Sequence, residues 1–261
     1  MHPLVMGIVN VTPDSFSDGG RYYSAAAAIE HGRQLAAEGA DVLDIGGEST
    51  RPGADAVDAE TELARVLPVI QGLAPLGVRL SIDTTKAQVA RAAVAAGASL
   101  INDVSASLED VAAELAVGWI AMHRKGDPKS MQGQAHYDDV VGEVCRHLAD
   151  AAVRAERVGV GEIWLDPGIG FGKTTAHNLE LLAHLDSVVA LGYPVCVGAS
   201  RKRFLGELLA ASDRVERVDS DDRREGSLAA TTTAIIGGAT MVRVHDVRMT
   251  VHAARVVAAA V

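Results

Sequence analysis

Three side chains suited to gripping a flat, nitrogen-rich ring each close a separate apolar run: Asp83, Asn102 and Asp166. An ionised carboxylate accepts two hydrogen bonds at once and an amide adds a further acceptor, so the set suits a heterocycle carrying adjacent N–H and amino donors. A single aspartate at a strand end is ordinarily a helix cap, and it is the grouping of the three that points to a ligand. A second set is cationic: Arg51, the stretch Ser200-Arg201-Lys202-Arg203, and Arg243 with His245. Basic side chains drawn from three distant parts of the sequence imply an anionic group, a phosphate above all. The stretch from Asn10 to Gly20 contributes metal-capable oxygens and Phe16, one of three phenylalanines in the chain. No Cys/His spacing of zinc type occurs, and His123 and His245 belong to different runs, whereas an oxygen-rich set fits magnesium held through a phosphate.

What could bring such scattered residues together is a repeat. Eight short apolar runs end at Asn10, Asp44, Asp83, Asn102, His123, Asp166, Ser200 and His245, and an alanine-rich, helix-like stretch follows nearly every one. Strand, polar tip and helix in eightfold recurrence predict α/β architecture, an (α/β)8 TIM barrel in one domain over residues 1–261. In that fold the strand tips share one mouth, with phosphate sites commonly beside strands seven and eight. The first two tip loops, Asn10 to Gly20 and Gly46 to Gly53, are long and marked by glycine and proline, and read as lids over the mouth. Ser212 to Arg224 is dense in both charge signs and reads as a solvated insertion or helix turn.

Composition narrows the function classes. The chain has 261 residues, 48% of them hydrophobic, which is ample for one barrel core, and no uninterrupted apolar stretch of membrane-spanning length. A formal net charge of −10 argues against a nucleic-acid surface. Cys145 and Cys196 read as buried or half-buried thiols in a reducing compartment, and a start that runs directly into the first strand gives the expectation of a cytoplasmic protein.

Taken in order, the first loop, Gly46-Gly47-Glu48-Ser49-Thr50-Arg51-Pro52-Gly53-Ala54, Ser81-Ile82-Asp83-Thr84, Ile101-Asn102-Asp103, Met122-His123, Asp166-Pro167-Gly168-Ile169-Gly170-Phe171-Gly172-Lys173, Gly198-Ala199-Ser200-Arg201-Lys202 and Arg243-Val244-His245-Asp246-Val247 resemble the dihydropteroate synthase family over essentially the whole chain. No one of these pieces is specific, but their order is. The resemblance implies a pterin-binding barrel that joins 6-hydroxymethyl-7,8-dihydropterin pyrophosphate to p-aminobenzoate, releasing pyrophosphate and forming 7,8-dihydropteroate for folate biosynthesis. It further implies a pterin pocket of Asp83, Asn102, Asp166 and Lys202 with Met122 and Phe171 against the ring. Pyrophosphate falls to Asn10, Arg51, Arg243 and His245, with Mg2+ on Asn10. Phe16, Thr50, Arg51, Pro52, Ser200 and Lys202 match the p-aminobenzoate pocket, the sulfonamide target. Catalysis is expected of Asp83, Lys202, Arg243 and His245, with Asp18 as a further support for the cation or metal, and the family implies a homodimer.

The sequence departs from the family pattern at Ala106-Ser107, where two glycines are frequent, at His123-Arg124-Lys125, and at Arg203, where a small residue is common. None of these removes a matched ligand, but Arg203 stands near the expected p-aminobenzoate entrance. Two rivals predict other outcomes. A corrinoid-linked methyltetrahydrofolate methyltransferase needs a pterin pocket without the pyrophosphate cations, and a pterin-binding paralogue without turnover is expected to have eroded loops or a broken Ser200-Arg201-Lys202 triplet.

Overall fold

The computed structural model describes residues 2–12, 21–49, 56–126, 133 and 135–260. Eight parallel strands form one sheet: β1 (Leu4–Asn10), β2 (Val42–Gly46), β3 (Arg79–Asp83), β4 (Leu100–Asp103), β5 (Gly118–Met122), β6 (Ile163–Asp166), β7 (Cys196–Val197) and β8 (Met241–Val244). Neighbours pair in the order β6-β5-β4-β3-β2-β1-β8-β7, and a bridge between Leu165 and Val195 draws the two ends together. The expected barrel is present.

Helices cover the outside: α1 (Arg21–Ala37), α2 (Ala59–Leu73), α3 (Ala87–Ala95), α4 (Glu109–Leu115), α5 (Val140–Val158), α6 (Thr175–Ala183), α7 (Leu185–Val189), α8 (Arg203–Asp213), α9 (Arg224–Ile236) and α10 (Val247–Ala260). Local chemistry sets their starts. The Asp58 carboxylate accepts from the Thr61 N–H at 2.7 Å to open α2, and that of Asp139 accepts from Gly142 at 2.9 Å to open α5. Along α5 the buried residues Val140, Val144, Leu148, Ala151, Ala152 and Ala155 make a single stripe against the barrel. The short helices α4 and α7 do not emerge from the sequence pattern, because seven and five residues are too few to display a period.

Two apolar layers result. The larger lies between strands and helices; the smaller fills the barrel itself with Met6, Val42, Leu100, Ile120, Trp164, Cys196 and Met241. Side chains two residues apart on a strand share a face, so the residues directly above this plug include Ile8, Asp44, Asn102, Met122, Asp166 and Arg243. Several strands end earlier or later than the polar tips suggest. β2 continues to Gly46, so Asp44 is an inward-facing mid-strand residue, whereas β5, β7 and β8 stop at Met122, Val197 and Val244, leaving His123, Ser200 and His245 on the loops.

Candidate active site

The floor of the mouth is one charged network. Arg243 on β8 donates from Nε to Asp44 Oδ2 at 2.6 Å and from Nη2 to Asp83 Oδ2 at 2.7 Å. Asn102 on β4 donates from Nδ2 to the same Asp44 oxygen at 2.9 Å. Strand register makes this possible: Asp83 lies opposite Gly46 on one side and Asn102 on the other, and Asn10 lies opposite Gly46. With no side chain, Gly46 leaves the space in front of Asp83 open. Burial pushes the Asp83 carboxyl up to about 7 against the pull of Arg243, with the neighbouring Asp44 adding to the rise.

The opposite wall is built by the glycine-rich turn after β6. Burial raises Asp166 above its ordinary range while Lys202 opposes the shift, and its Oδ1 accepts from the Gly168 N–H at 2.7 Å. Lys202 donates to the Ile169 carbonyl and stands 4.4 Å above the Phe171 ring, a cation–π contact. Burial lowers Lys202 to about 8, with Asp166 supporting its charge. Gly168 has φ +66, and a Cβ there would lie 1.8 Å from the His123 carbonyl oxygen, so only glycine lets the turn approach β5 this closely. Buried Lys173 ties the same turn in place, its Nζ lying 2.9 Å from His123 Nδ1 and donating to the Gly168 carbonyl at 2.9 Å and the Phe171 carbonyl at 3.2 Å. Burial, with Lys173 beside it, lowers His123 to about 2 and keeps the ring neutral.

The structure thus brings Asp83, Asn102, Met122, Asp166, Phe171, Lys202 and Arg243 around one cavity mouth. Ser200 and His245 meet each other at its edge, the Ser200 hydroxyl 3.0 Å from His245 Nδ1. Two cations of the Ser200–Arg203 stretch depart from the expected anion site. Arg201 has φ +58 and its guanidinium is engaged by Asp246 at 2.9 Å and Asp221 at 2.7 Å. Arg203 lies on the exposed face of α8, paired with Glu207 at 2.7 Å. Lys202 alone of the three turns inward, because the Arg201 backbone is pinned by Ser227 Oγ at 2.8 Å and by Arg223 Nη1 at 3.0 Å. Asp44 and Lys173 escaped assignment from sequence; the signal for Asp44 was its position two residues beyond Val42 on the inner face.

Phe16, Asp18, Thr50, Arg51 and Pro52 lie outside the described residues. The described flanks of the second loop are tied together: Glu48 Oε1 accepts from the Val57 N–H at 3.0 Å, and the Lys86 ammonium bridges Glu48 at 2.7 Å and Glu62 at 2.6 Å. Among the described residues no three His, Cys, Asp or Glu side chains gather as a metal cage. Asn10, half-buried at the end of β1, offers a hard amide oxygen. One such donor fits magnesium, which retains water ligands and takes others from substrate phosphates. At Ala106, where the family often has glycine, φ is +49, so the chain keeps a turn that glycine would enter more easily.

An inward ring of three acids, an amide and two cations above an apolar plug, at the C-terminal ends of parallel strands, defines a barrel enzyme for a flat heterocycle with an anionic appendage. The comparisons narrow this. The family model for pterin binding enzymes matches residues 6–245. Dihydropteroate synthase of Mycobacterium leprae is 47% identical over 263 residues, covering 98% of this chain and 92% of the relative, and that of Escherichia coli K12 is 44% identical, covering 99% and 92%. A solved structure of Xanthomonas albilineans dihydropteroate synthase with 4-aminobenzoic acid superposes with a TM-score of 0.91 at 51% identity, covering 99% of this chain and 93% of the other. The Yersinia pestis dihydropteroate synthase with a sulfonamide drug complex gives 0.91 at 42%, covering 99% and 94%. The chain belongs to the dihydropteroate synthase family.

Proposed function

We propose that this protein condenses 6-hydroxymethyl-7,8-dihydropterin pyrophosphate with p-aminobenzoate, giving 7,8-dihydropteroate and pyrophosphate. The observation that carries the site assignment is the Arg243 guanidinium held at the floor of the mouth between Asp44 and Asp83, with Asn102 on the same network. Asp83, Asn102 and Asp166 accept from the pterin N–H and amino groups, Lys202 donates to the ring, and Met122 and Phe171 flank its faces. Arg243, His245, Asn10 and Arg51 take the pyrophosphate. Phe16, Thr50, Arg51, Pro52, Ser200 and Lys202 receive p-aminobenzoate at the outer edge.

In the reaction the methylene carbon–oxygen bond breaks and its electron pair leaves with pyrophosphate. The positive charge that develops spreads into the pterin, where ionised Asp83 and Asp166 stabilise it from fixed positions. The neutral arylamine nitrogen then forms the new carbon–nitrogen bond and loses its proton to water, so no strong base is required. Asn10 would hold magnesium together with the pyrophosphate, and the ion would supply charge neutralisation on the leaving group.

The test is pyrophosphate release in the presence of both substrates and magnesium: release that depends on p-aminobenzoate supports the synthase, and pterin binding without release supports a paralogue that has lost turnover. The assembly we propose is a homodimer, supported by the exposed Ile236 on α9 and Val256 on α10; sedimentation at the monomer mass removes it. A cytoplasmic location is supported by two free cysteines, and among the described residues no helix is long and apolar enough to cross a membrane.

A further inference from the structure

We propose that Asp44 is a positioning residue of the pterin pocket: from beneath the site, one carboxylate fixes both the Asn102 amide and the Arg243 guanidinium in the orientations the pterin meets. This rests on the synthase reading for the identity of the ligand. Asp44 is fully buried in the middle of β2, one layer above the apolar plug, and its Oδ2 accepts from Asn102 Nδ2 at 2.9 Å and Arg243 Nε at 2.6 Å.

Two consequences follow from the chemistry of a carboxylate. It has no proton to give, so Asn102 must turn its NH2 toward Asp44 and its carbonyl away, which makes the other end of the amide an acceptor for a ligand N–H. Arg243, for its part, is held at two points, Nε by Asp44 and Nη2 by Asp83. When a pterin N–H engages Asp83, that second contact competes with the substrate, and Asp44 is the anchor that keeps the guanidinium at the floor while Asp83 changes partner. A fully buried acid is costly unless paired, and its pairing here with two groups that face the ligand gives the cost a function. Asp44→Asn keeps the size of the side chain, and because Asp44 Oδ1 is buried with no partner among the described residues, no acceptor there would hold the new NH2 in place of the contacting oxygen. It removes the charge, and an amide free to rotate can oppose the two donors with its own NH2.

The experiment is calorimetric binding of dihydropterin pyrophosphate with magnesium to the unmodified protein, Asp44→Asn, Asn102→Ala, Arg243→Ala and the two double variants containing Asp44→Asn, with KM for p-aminobenzoate and a thermal melt for each. Asp44→Asn is expected to weaken pterin binding by about tenfold or more, as loss of a charged buried partner does, with KM for p-aminobenzoate within about twofold of unmodified because it acts through the pterin pocket. In each double variant the Asp44→Asn effect should shrink to about threefold or less. Unchanged pterin affinity, or losses that simply multiply in both cycles, overturns the proposal. Should Asp44→Asn fail to fold, Asn102→Asp tests the same contact from the other side: it keeps an outward acceptor but cannot donate to Asp44, and undiminished binding would overturn the role. Asp44 variants that match an unmodified protein which releases pyrophosphate remove only the Asp44 role. An unmodified protein that binds the pterin without release removes the synthase reading and leaves the Asp44 test intact, and one that binds no pterin removes both.

Discussion

Each end of the barrel carries a half-buried arginine paired with one or more carboxylates, and the two are built to opposite purposes. At the N-terminal end Arg79 makes a two-point pair with Glu162, at 2.7 and 2.6 Å, donates also to the Ser99 carbonyl at 3.1 Å, and Trp164 Nε1 donates to the same glutamate at 2.7 Å. Every partner there is satisfied, and Arg79 holds the Glu162 carboxyl below its usual range. At the C-terminal end one guanidinium serves two carboxylates, Asp44 and Asp83, a buried acceptor is left over, and Asp83 is driven up instead of down. A closed ion pair stabilises; one with excess acid is poised to accept a ligand's donors. The difference between the two ends is the barrel's division between folding and chemistry, seen in two residues of the same type.

The sharpest way to break that comparison is at the mouth. Arg243→Ala should lower kcat/KM for the pterin pyrophosphate by about 10²- to 10³-fold, because it removes the cation and strands a fully buried Asp44. Direct measurement of pterin pyrophosphate affinity checks it, and unchanged affinity would take Arg243 out of the anion site.

Next in size is a pH effect of defined sign. Asp83 titrates at about 7 in the folded protein against an ordinary 3.8, so between those values the native chain holds a proton the unfolded chain has lost. Stability therefore falls as pH rises through this window, and Asp83→Asn should flatten that slope in melts taken across it. In the proposed reaction the ionised form stabilises the pterin cation, so kcat/KM should rise through about 7 and then fall as Lys202, at about 8, loses its proton. Asp83→Asn should abolish the rising limb and leave the falling one; a rising limb that survives would assign it to another group.

How much of this was legible follows from periods and distances. The eight strands could be read because each is an apolar run with a polar end, and Asp83, Asn102 and Asp166 because each is such an end, at the tips of β3, β4 and β6. Asp44 was visible as a polar interruption, but its task depends on Arg243, 199 positions away in sequence, and no local pattern encodes that contact. The opposite failure occurred in the stretch after β7. Three consecutive basic residues look alike in sequence, and what separates them is a left-handed Arg201 held by the distant Asp246 and Asp221, and an Arg203 paired one helical turn along with Glu207. Lys173 was part of a matched motif, yet its work of stapling the glycine-rich turn to His123 appears only once β5 and β6 are side by side.

At the other end of the barrel the comparison predicts stability loss without functional loss. Arg79→Met should cost about 1–2 kcal/mol, since the pair is partly exposed and Glu162 can rehydrate, lowering Tm by about 3–6 °C. Its kcat/KM should stay within about twofold of the unmodified enzyme, as expected for a distant, independent site. A fall in activity without a fall in Tm would dissolve the distinction between the two ends.

The smallest effect is predicted at Arg203, where the sequence departs from its family beside the expected p-aminobenzoate entrance. Position alone makes this residue a candidate for tuning arylamine or sulfonamide affinity. Its geometry argues otherwise: the side chain is exposed on the first turn of α8 and paired one helical turn along with Glu207, whose other oxygen accepts from the Thr175 hydroxyl. An exposed i,i+4 pair contributes about 0.3–0.5 kcal/mol. Arg203→Ala should accordingly shift Tm by about 1–2 °C or less and leave both KM for p-aminobenzoate and sulfonamide inhibition within about twofold. The neighbouring Lys202→Ala, one residue away but turned inward over Phe171, should lose pterin binding in the same assays. A large change at Arg203 would mean that its charge reaches the arylamine site despite the Glu207 pair, and that the outward and inward faces of this turn are less separate than their side chains indicate.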